Sequence, residues 1–321
     1  MRTDRGIFTL SLDFELIWGS LDKHGPELLR GACERERDEV FERLLGLLEE
    51  HEIEATWCVL GHLMLGSCQP VDGLKHPEIA RPHPTGQHGD WFEHDPGGDE
   101  RTFPTFYGRS LVERLLRSGV PQEIGCHSFS HVIFGGNGCS RDAAESEVRA
   151  CVRLARQLGI TLRSFAFPRN KVGHLDVLRE HGFACFRGPE PTWHRGGGAQ
   201  GASRQAGHLI DVISARRPPV VVPERVNGLV NVPASMMYFP AKGVRRRIPV
   251  ARRVRRMLKG LEGAIAEKQV FHLWFHPTNL AYETDAMLDG LRVLFREVAR
   301  RRESRELDIL PMARVAERYS A

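Results

Sequence analysis

Two carboxylates, one residue apart, close an apolar run. In "SLDFELIWG", residues 11–19, Asp13 and Glu15 end a stretch that begins at Ile7. An isolated carboxylate is very costly to bury, so these acids must meet cations or take part in chemistry. In "EIGCHSFSH", His127 and His131 stand four apart, and a helical turn after Cys126 would put both imidazoles on one face. Two neutral imidazoles and one carboxylate form a common catalytic zinc set, with one coordination position left for water. In "FHLWFHPTNL", His276 ends an apolar run and can act as a general acid, whereas His272 lies within the run and reads as a satisfied core histidine. In "FAFPRN", Arg169 and Asn170 directly follow a short apolar run, and a guanidinium there can hold a carboxylate in place.

The elements around these residues alternate. Strand-like runs at "IFTLSLDF", "EATWCVLGHL", "EIGCHSFSH", "SFAFPRN", "FACFRG", "GLVNVPASMMYF", "VFHLWFHPTNL" and "LDILPM" are interleaved with helical patterns. A helix near 34–50 carries Val40, Leu44, Leu47 and Leu48 at helical spacing. Another, near 141–158, opens at Ser140 as its N-cap. This alternation predicts a parallel α/β fold, in which strand ends supply the site. Two stretches interrupt it. Residues 66–108 are rich in Gly, Pro and His, too long for a plain connector, and are expected to line a substrate cleft with Trp91 or Asp95 near it. Residues 194–208 are Gly-rich. Neither reads as a domain boundary, so 1–321 is expected to be one domain with an inserted loop region.

Composition narrows the class. The 321 residues are 41% hydrophobic and 27% charged, with a formal net charge of +4, so the total charge does not imply a nucleic-acid partner. No apolar run approaches the roughly 18 residues of a membrane span. "MRTDRGIFTL" runs into the first strand without the apolar core of a signal peptide. Seven scattered cysteines without a CxxC pair read as reduced thiols, and the expected location is cytoplasmic.

In this order, the strand-end acid pair, H-S-x-x-H, the Pro-Arg strand end and the late-strand histidine resemble the polysaccharide deacetylase (NodB-homology) superfamily. "CHSFSH" is the most specific match. The resemblance implies a distorted (β/α) barrel, usually of seven parallel strands, and removal of an N- or O-acyl group from a sugar with one divalent metal, zinc first among the first-row ions. Carried over residue by residue, it makes Asp13 the general base and Glu15 a metal ligand beside His127 and His131, with the two acids exchangeable because Phe14 stands where the family's second aspartate would be. Ser128 would shape the loop, Arg169 would orient the base, and His276 would protonate the leaving amine. Trp91, Asp95 and Asn170 are assigned to the substrate, with Phe92, Tyr107 and Trp193 as further aromatics for stacking on a sugar ring. The substrate class this implies is a sugar or glycan precursor, lipid- or nucleotide-linked, in surface-polysaccharide biosynthesis. Two alternatives stand beside it: an inactive sugar-binding protein on the same fold, and an amide hydrolase acting on a small cyclic amide.

One further segment is distinctive. Between Arg245 and Lys259 there are eight basic residues and no acid, with Val250, Val254, Met257, Leu258, Leu261 and Ile265 at helical spacing. Its expected role is either an ordinary barrel helix or a cationic face that touches an anionic membrane.

Overall fold

The computed structural model describes residues 4–21, 25–82, 90–136, 138–191 and 216–320. The first strand, β1 (Gly6–Phe14), is buried along its whole length. β11 (Val270–Phe275) runs parallel along one edge of it. The other edge is shared by β12 (Leu307–Ile309) at its start and β2 (Thr56–Val59) at its end. Such central strands read as unbroken apolar runs because helices cover both faces of a parallel sheet.

The remaining strands of the main sheet are β5 (Glu123–Cys126), β6 (Ser164–Ala166), β7 (Cys185–Arg187), β8 (Glu224–Val226), β9 (Leu229–Asn231) and β10 (Met236–Met237). Along the path β10-β11-β1-β2-β5-β6-β7-β9 every pairing is parallel, and β8 adds antiparallel to β9. The path therefore holds eight parallel strands where the resemblance implied seven. The run "GLVNVPASMMYF" makes two of them: it breaks at Pro233, and its halves, β9 and β10, lie at opposite ends of the path. That break dictates the curvature. Eight flat strands would separate their outer members by about 34 Å at ~4.8 Å per strand. Residues 232–235 span at most about 18 Å, so the sheet must curl into a distorted barrel.

The helices follow the apolar periodicity. Arg141–Gln157 is capped by Ser140, whose side chain accepts from the Ala143 N–H at 3.1 Å. The helix expected near 34–50 is Arg30–Arg35 and Phe41–Glu50, joined by a π-helical turn, Glu36–Val40. Val250–Glu267 and Thr284–Glu303 pack on each other, and the first also lies on β1 and β11. The cationic face expected on Val250–Glu267 is narrower than its sequence suggests. Arg253 and Arg256 are buried and donate inward, Arg253 to the carbonyls of Phe239 and Arg245 and Arg256 to that of Arg216. Within the insertion, β3 (Ser67–Cys68) pairs antiparallel with β4 (Gly98–Asp99). No helix among the described residues is long and apolar enough to cross a membrane.

Candidate active site

The period of two along β1 sends Asp13 and, just past the strand, Glu15 to one side. Phe14 goes to the other and packs on Phe41 and Trp57, with ring centres 5.6 and 5.7 Å away. Gly19 makes room for Glu15: a Cβ there would sit 1.8 Å from the Glu15 carboxylate. Oε2 of Glu15 lies 3.0 Å from Nε2 of His127 and 3.2 Å from Nε2 of His131. Its other oxygen is 3.4 Å from Nε2 of His276, which in turn stands 3.8 Å from Asp13. The structure thus gathers Asp13, Glu15, His127, His131 and His276 at the ends of β1, β5 and β11.

The two imidazoles of "CHSFSH" meet without the helical turn expected from their spacing. Residues 127–131 are irregular, and Ser128 and His131 adopt left-handed backbone, with φ of 62° and 68°. Such non-glycine conformations persist only where surroundings enforce them. Here the enforcing group is Glu147, buried in the helix Arg141–Gln157. One of its oxygens accepts from the N–H groups of Phe129 and Ser130 at 2.7 and 2.9 Å, and the other takes the Ser130 hydroxyl at 2.5 Å.

Arg187, at the end of β7, clamps Asp13. Both Asp13 oxygens accept from its guanidinium, at 2.7 and 2.6 Å, and the pair is buried. The same guanidinium donates to Ser11 at 3.1 Å and to Oδ1 of Asn170 at 3.3 Å, and lies 4.2 Å over the Trp274 ring. Burial alone would raise the pKa of Asp13, but Arg187, His127 and His276 reverse this and hold it below the ordinary range. For Glu15 burial is likewise overridden, by His276, His131 and His127, and its pKa falls well below normal. Burial opposes charge on His127, yet Asp13 and Glu15 raise its pKa; at His131 burial prevails and lowers it. His272 is the satisfied core histidine: Ser11 and the Pro233 carbonyl bond its ring, and burial pushes its pKa down to about 3.

The donor set suits a cation. Nδ1 of His127 faces the Ala166 carbonyl at 2.8 Å, so that nitrogen carries the proton. In its neutral form the ring presents the Nε2 lone pair to a carboxylate oxygen 3.0 Å away, a pairing that a divalent ion between them would convert into two bonds. Nδ1 of His131 is buried without a hydrogen-bond partner, so the carboxylate side is where that ring finds its charge.

Several sequence assignments fall elsewhere. Arg169 (φ 56°) donates to the Gly19 carbonyl at 3.0 Å, and the guanidinium on the base is Arg187. Asn170 backs Arg187. Asp95 is fully buried in a separate cluster with His62, Cys68 and His76, so it is corrected from a substrate contact to an interior group. Phe92 and Tyr107 are buried too and present no stacking face. The Trp91 side chain and Trp193 lie outside the described residues. Arg187 and Glu147 were missed. The only sequence signal for Arg187 was an arginine closing the apolar run "FACF", and for Glu147 an acid on the inward face of an amphipathic helix.

Residues 31–185 match the sequence model of the polysaccharide deacetylase family, a stretch that includes His127, His131 and Arg169 but not Asp13, Glu15, Arg187 or His276. No curated protein matches the sequence. Among solved structures, the chain is similar to a candidate polysaccharide deacetylase from Mycobacterium smegmatis, with a TM-score of 0.62 at 14% identity, covering 98% of this chain and 91% of that one. It is similar to PuuE allantoinase, with a TM-score of 0.58 at 11% identity, covering 98% and 89%. A candidate polysaccharide deacetylase from Pseudomonas aeruginosa PAO1 gives a TM-score of 0.57 at 9% identity over the same shares. At these identities the likeness to solved structures concerns the fold.

Proposed function

Because residues 31–185 match the polysaccharide deacetylase family model and the chain shares its fold with a solved structure over 98% of its length, we propose that it is a metal-dependent hydrolase removing an N-acetyl or other acyl group from a sugar or glycan precursor. The observation that carries this reading is the meeting of one carboxylate oxygen with two imidazole nitrogens beside an arginine-clamped aspartate and a partly exposed histidine. Glu15, His127 and His131 would hold the ion, with zinc the best match to two imidazoles and a carboxylate. When bound, the ion supplies Lewis acidity and lowers the pKa of a water.

The chain's own groups do the rest. Arg187 fixes both oxygens of Asp13, so this carboxylate stays ionised and takes the proton of the attacking water. The water oxygen joins the acyl carbon, the C–N bond breaks, and His276, at the open side of the cluster, donates a proton to the departing nitrogen. The complete set favours catalysis over inactive sugar binding. The test is acetate release from N-acetylglucosamine oligomers and acetylated monosaccharides by zinc-loaded protein. Release that disappears in Asp13→Asn, with the metal retained, supports the reading; no release from any acetylated sugar sinks it.

One observation favours a second reading. Burial of Phe92 and Tyr107 takes two of the four expected sugar-stacking aromatics out of reach, which suits a compact amide substrate, and hydrolysis of small cyclic amides belongs in the same assay. We also propose one domain over 1–321, supported by a single sheet that takes strands from Gly6 to Ile309. Free cysteines at all seven positions suit a reducing, cytoplasmic setting. A lipid- or nucleotide-linked precursor and contact with an anionic membrane would rest on the basic residues of 245–259 other than Arg253 and Arg256. Co-sedimentation with anionic vesicles at low and high salt tests that contact.

A further inference from the structure

We propose that His62, Cys68, His76 and Asp95 form a second metal site, structural and selective for zinc, that fastens the 66–108 insertion to the loop carrying His127 and His131.

The four side chains converge from separate pieces of chain. His62 sits in the 3₁₀ turn Gly61–Met64 after β2, Cys68 in β3, His76 in the insertion, and Asp95 just before β4. Nε2 of His62 is 3.1 Å from Nε2 of His76 and 3.2 Å from Oδ2 of Asp95. That same oxygen is 3.7 Å from Nε2 of His76 and 3.2 Å from the Cys68 sulfur. A tetrahedron with ligands about 2.1 Å from its centre has edges of about 3.4 Å, so these separations already outline one.

The outer partners orient each ligand. Nδ1 of His62 faces the Phe106 carbonyl at 3.1 Å, which sets its proton there and frees Nε2. The second oxygen of Asp95 accepts from the Gly97 N–H at 3.0 Å and the Tyr107 hydroxyl at 3.2 Å, leaving Oδ2 for the centre. Nδ1 of His76 lies 3.7 Å from Glu78, a resting place for its ring proton.

Charge and ligand number decide the role. A thiolate, a carboxylate and two neutral imidazoles carry two negative charges, which one divalent ion cancels in a buried pocket. Four protein ligands complete a tetrahedron and close it, as structural zinc sites do, whereas Glu15, His127 and His131 leave a position open. The thiolate selects zinc over magnesium, calcium or manganese. On binding, Cys68 gives up its thiol proton to solvent and sulfur bonds the ion; His76 moves its ring proton to Nδ1. Because the thiol must ionise to bind, uptake of zinc by this site releases a proton.

The site is joined to the catalytic loop through backbone. The N–H of Gly61 donates to the Ser128 carbonyl at 2.7 Å, and that of His62 to the Phe129 carbonyl at 3.0 Å. The Phe129 ring stands against both His62 and His76, 5.7 and 5.0 Å between centres.

The full-length protein, stripped with chelator and reloaded with zinc alone or cobalt alone, tests the proposal. Two ions per chain are expected after desalting, one of them retained in the His127→Ala, His131→Ala double variant. Cobalt-loaded protein should show a thiolate-to-cobalt charge-transfer band that persists in that double variant and vanishes in Cys68→Ser, since no thiol lies in the Glu15 cluster. Cys68 is the one cysteine of the seven that is not buried. In the wild type, zinc should therefore slow maleimide labelling at Cys68 at least tenfold, a reading that needs no variant to fold. A single ion per chain, lost with His127 and His131, or unchanged Cys68 labelling with zinc, would overturn the proposal.

Discussion

The two ligand clusters differ in closure. Around Glu15, three ligand groups stand beside an ionised aspartate and His276, whose side chain is 24% exposed. Around Asp95, four groups are enclosed by Tyr107, Phe92 and Phe129, and the acid beside them, Glu78, faces the outer nitrogen of His76 rather than the centre. Imidazole and carboxylate groups therefore suit turnover in one place and, joined by a thiolate, cross-linking in the other. What separates the two uses is whether a coordination position and a mobile proton carrier remain.

The sharpest way to break this contrast is Glu15→Gln. It should abolish acyl release and remove one ion per chain, measured by metal analysis alongside the acetate assay. Asp13→Asn should lower kcat by about 10²–10⁴-fold, the range of a general base, with metal content unchanged. If Asp13→Asn sheds the metal instead, the roles of the two acids are exchanged. Arg187→Met leaves a buried carboxylate unpaired and should destabilise the fold by about 3–5 kcal/mol, read from denaturant midpoints. An unshifted midpoint would mean that Asp13 has another cation.

The smallest effect concerns Glu36, in the π-helical turn. It is fully buried and hydrogen-bonded to Thr278, two residues after His276. Burial, opposed by the Thr278 bond, raises its pKa to about 8. The folded chain then keeps a proton that the unfolded chain releases above the ordinary carboxylate range. This contribution is full below that range and is lost as pH rises towards 8, with a slope of at most about 1.4 kcal/mol per pH unit. Glu36→Gln should flatten the slope across that window; an unchanged profile would show that Glu36 ionises freely in the fold.

Much of this was legible in the sequence. The acids after Leu12, the paired histidines after Cys126 and His276 before Pro277 all end apolar runs, and in a parallel sheet such ends converge. Partners separated along the chain were not legible. Asp13 and Arg187 lie 174 residues apart and meet only because β1 and β7 curl around one barrel. Asp95 was misread because an acid in a Gly- and Pro-rich stretch looks like a surface group until β3 and β4 fold it beside His62. The four-residue spacing of His127 and His131 suggested a helix, but left-handed turns held by Glu147 produced the same meeting.

Those turns bear on how quickly the Glu15 cluster fills. The bend at Ser128 and His131 is enforced by hydrogen bonds from Glu147, none of which involves an ion. If that clamp holds in the metal-free protein, the loop is already bent when metal arrives, and loading should require no rearrangement of it. Stopped-flow mixing of stripped protein with zinc should give a bimolecular rate proportional to metal concentration, without a plateau. In Glu147→Gln, whose amide can replace only part of that clamp, the rate should saturate as loop closure becomes the slow step.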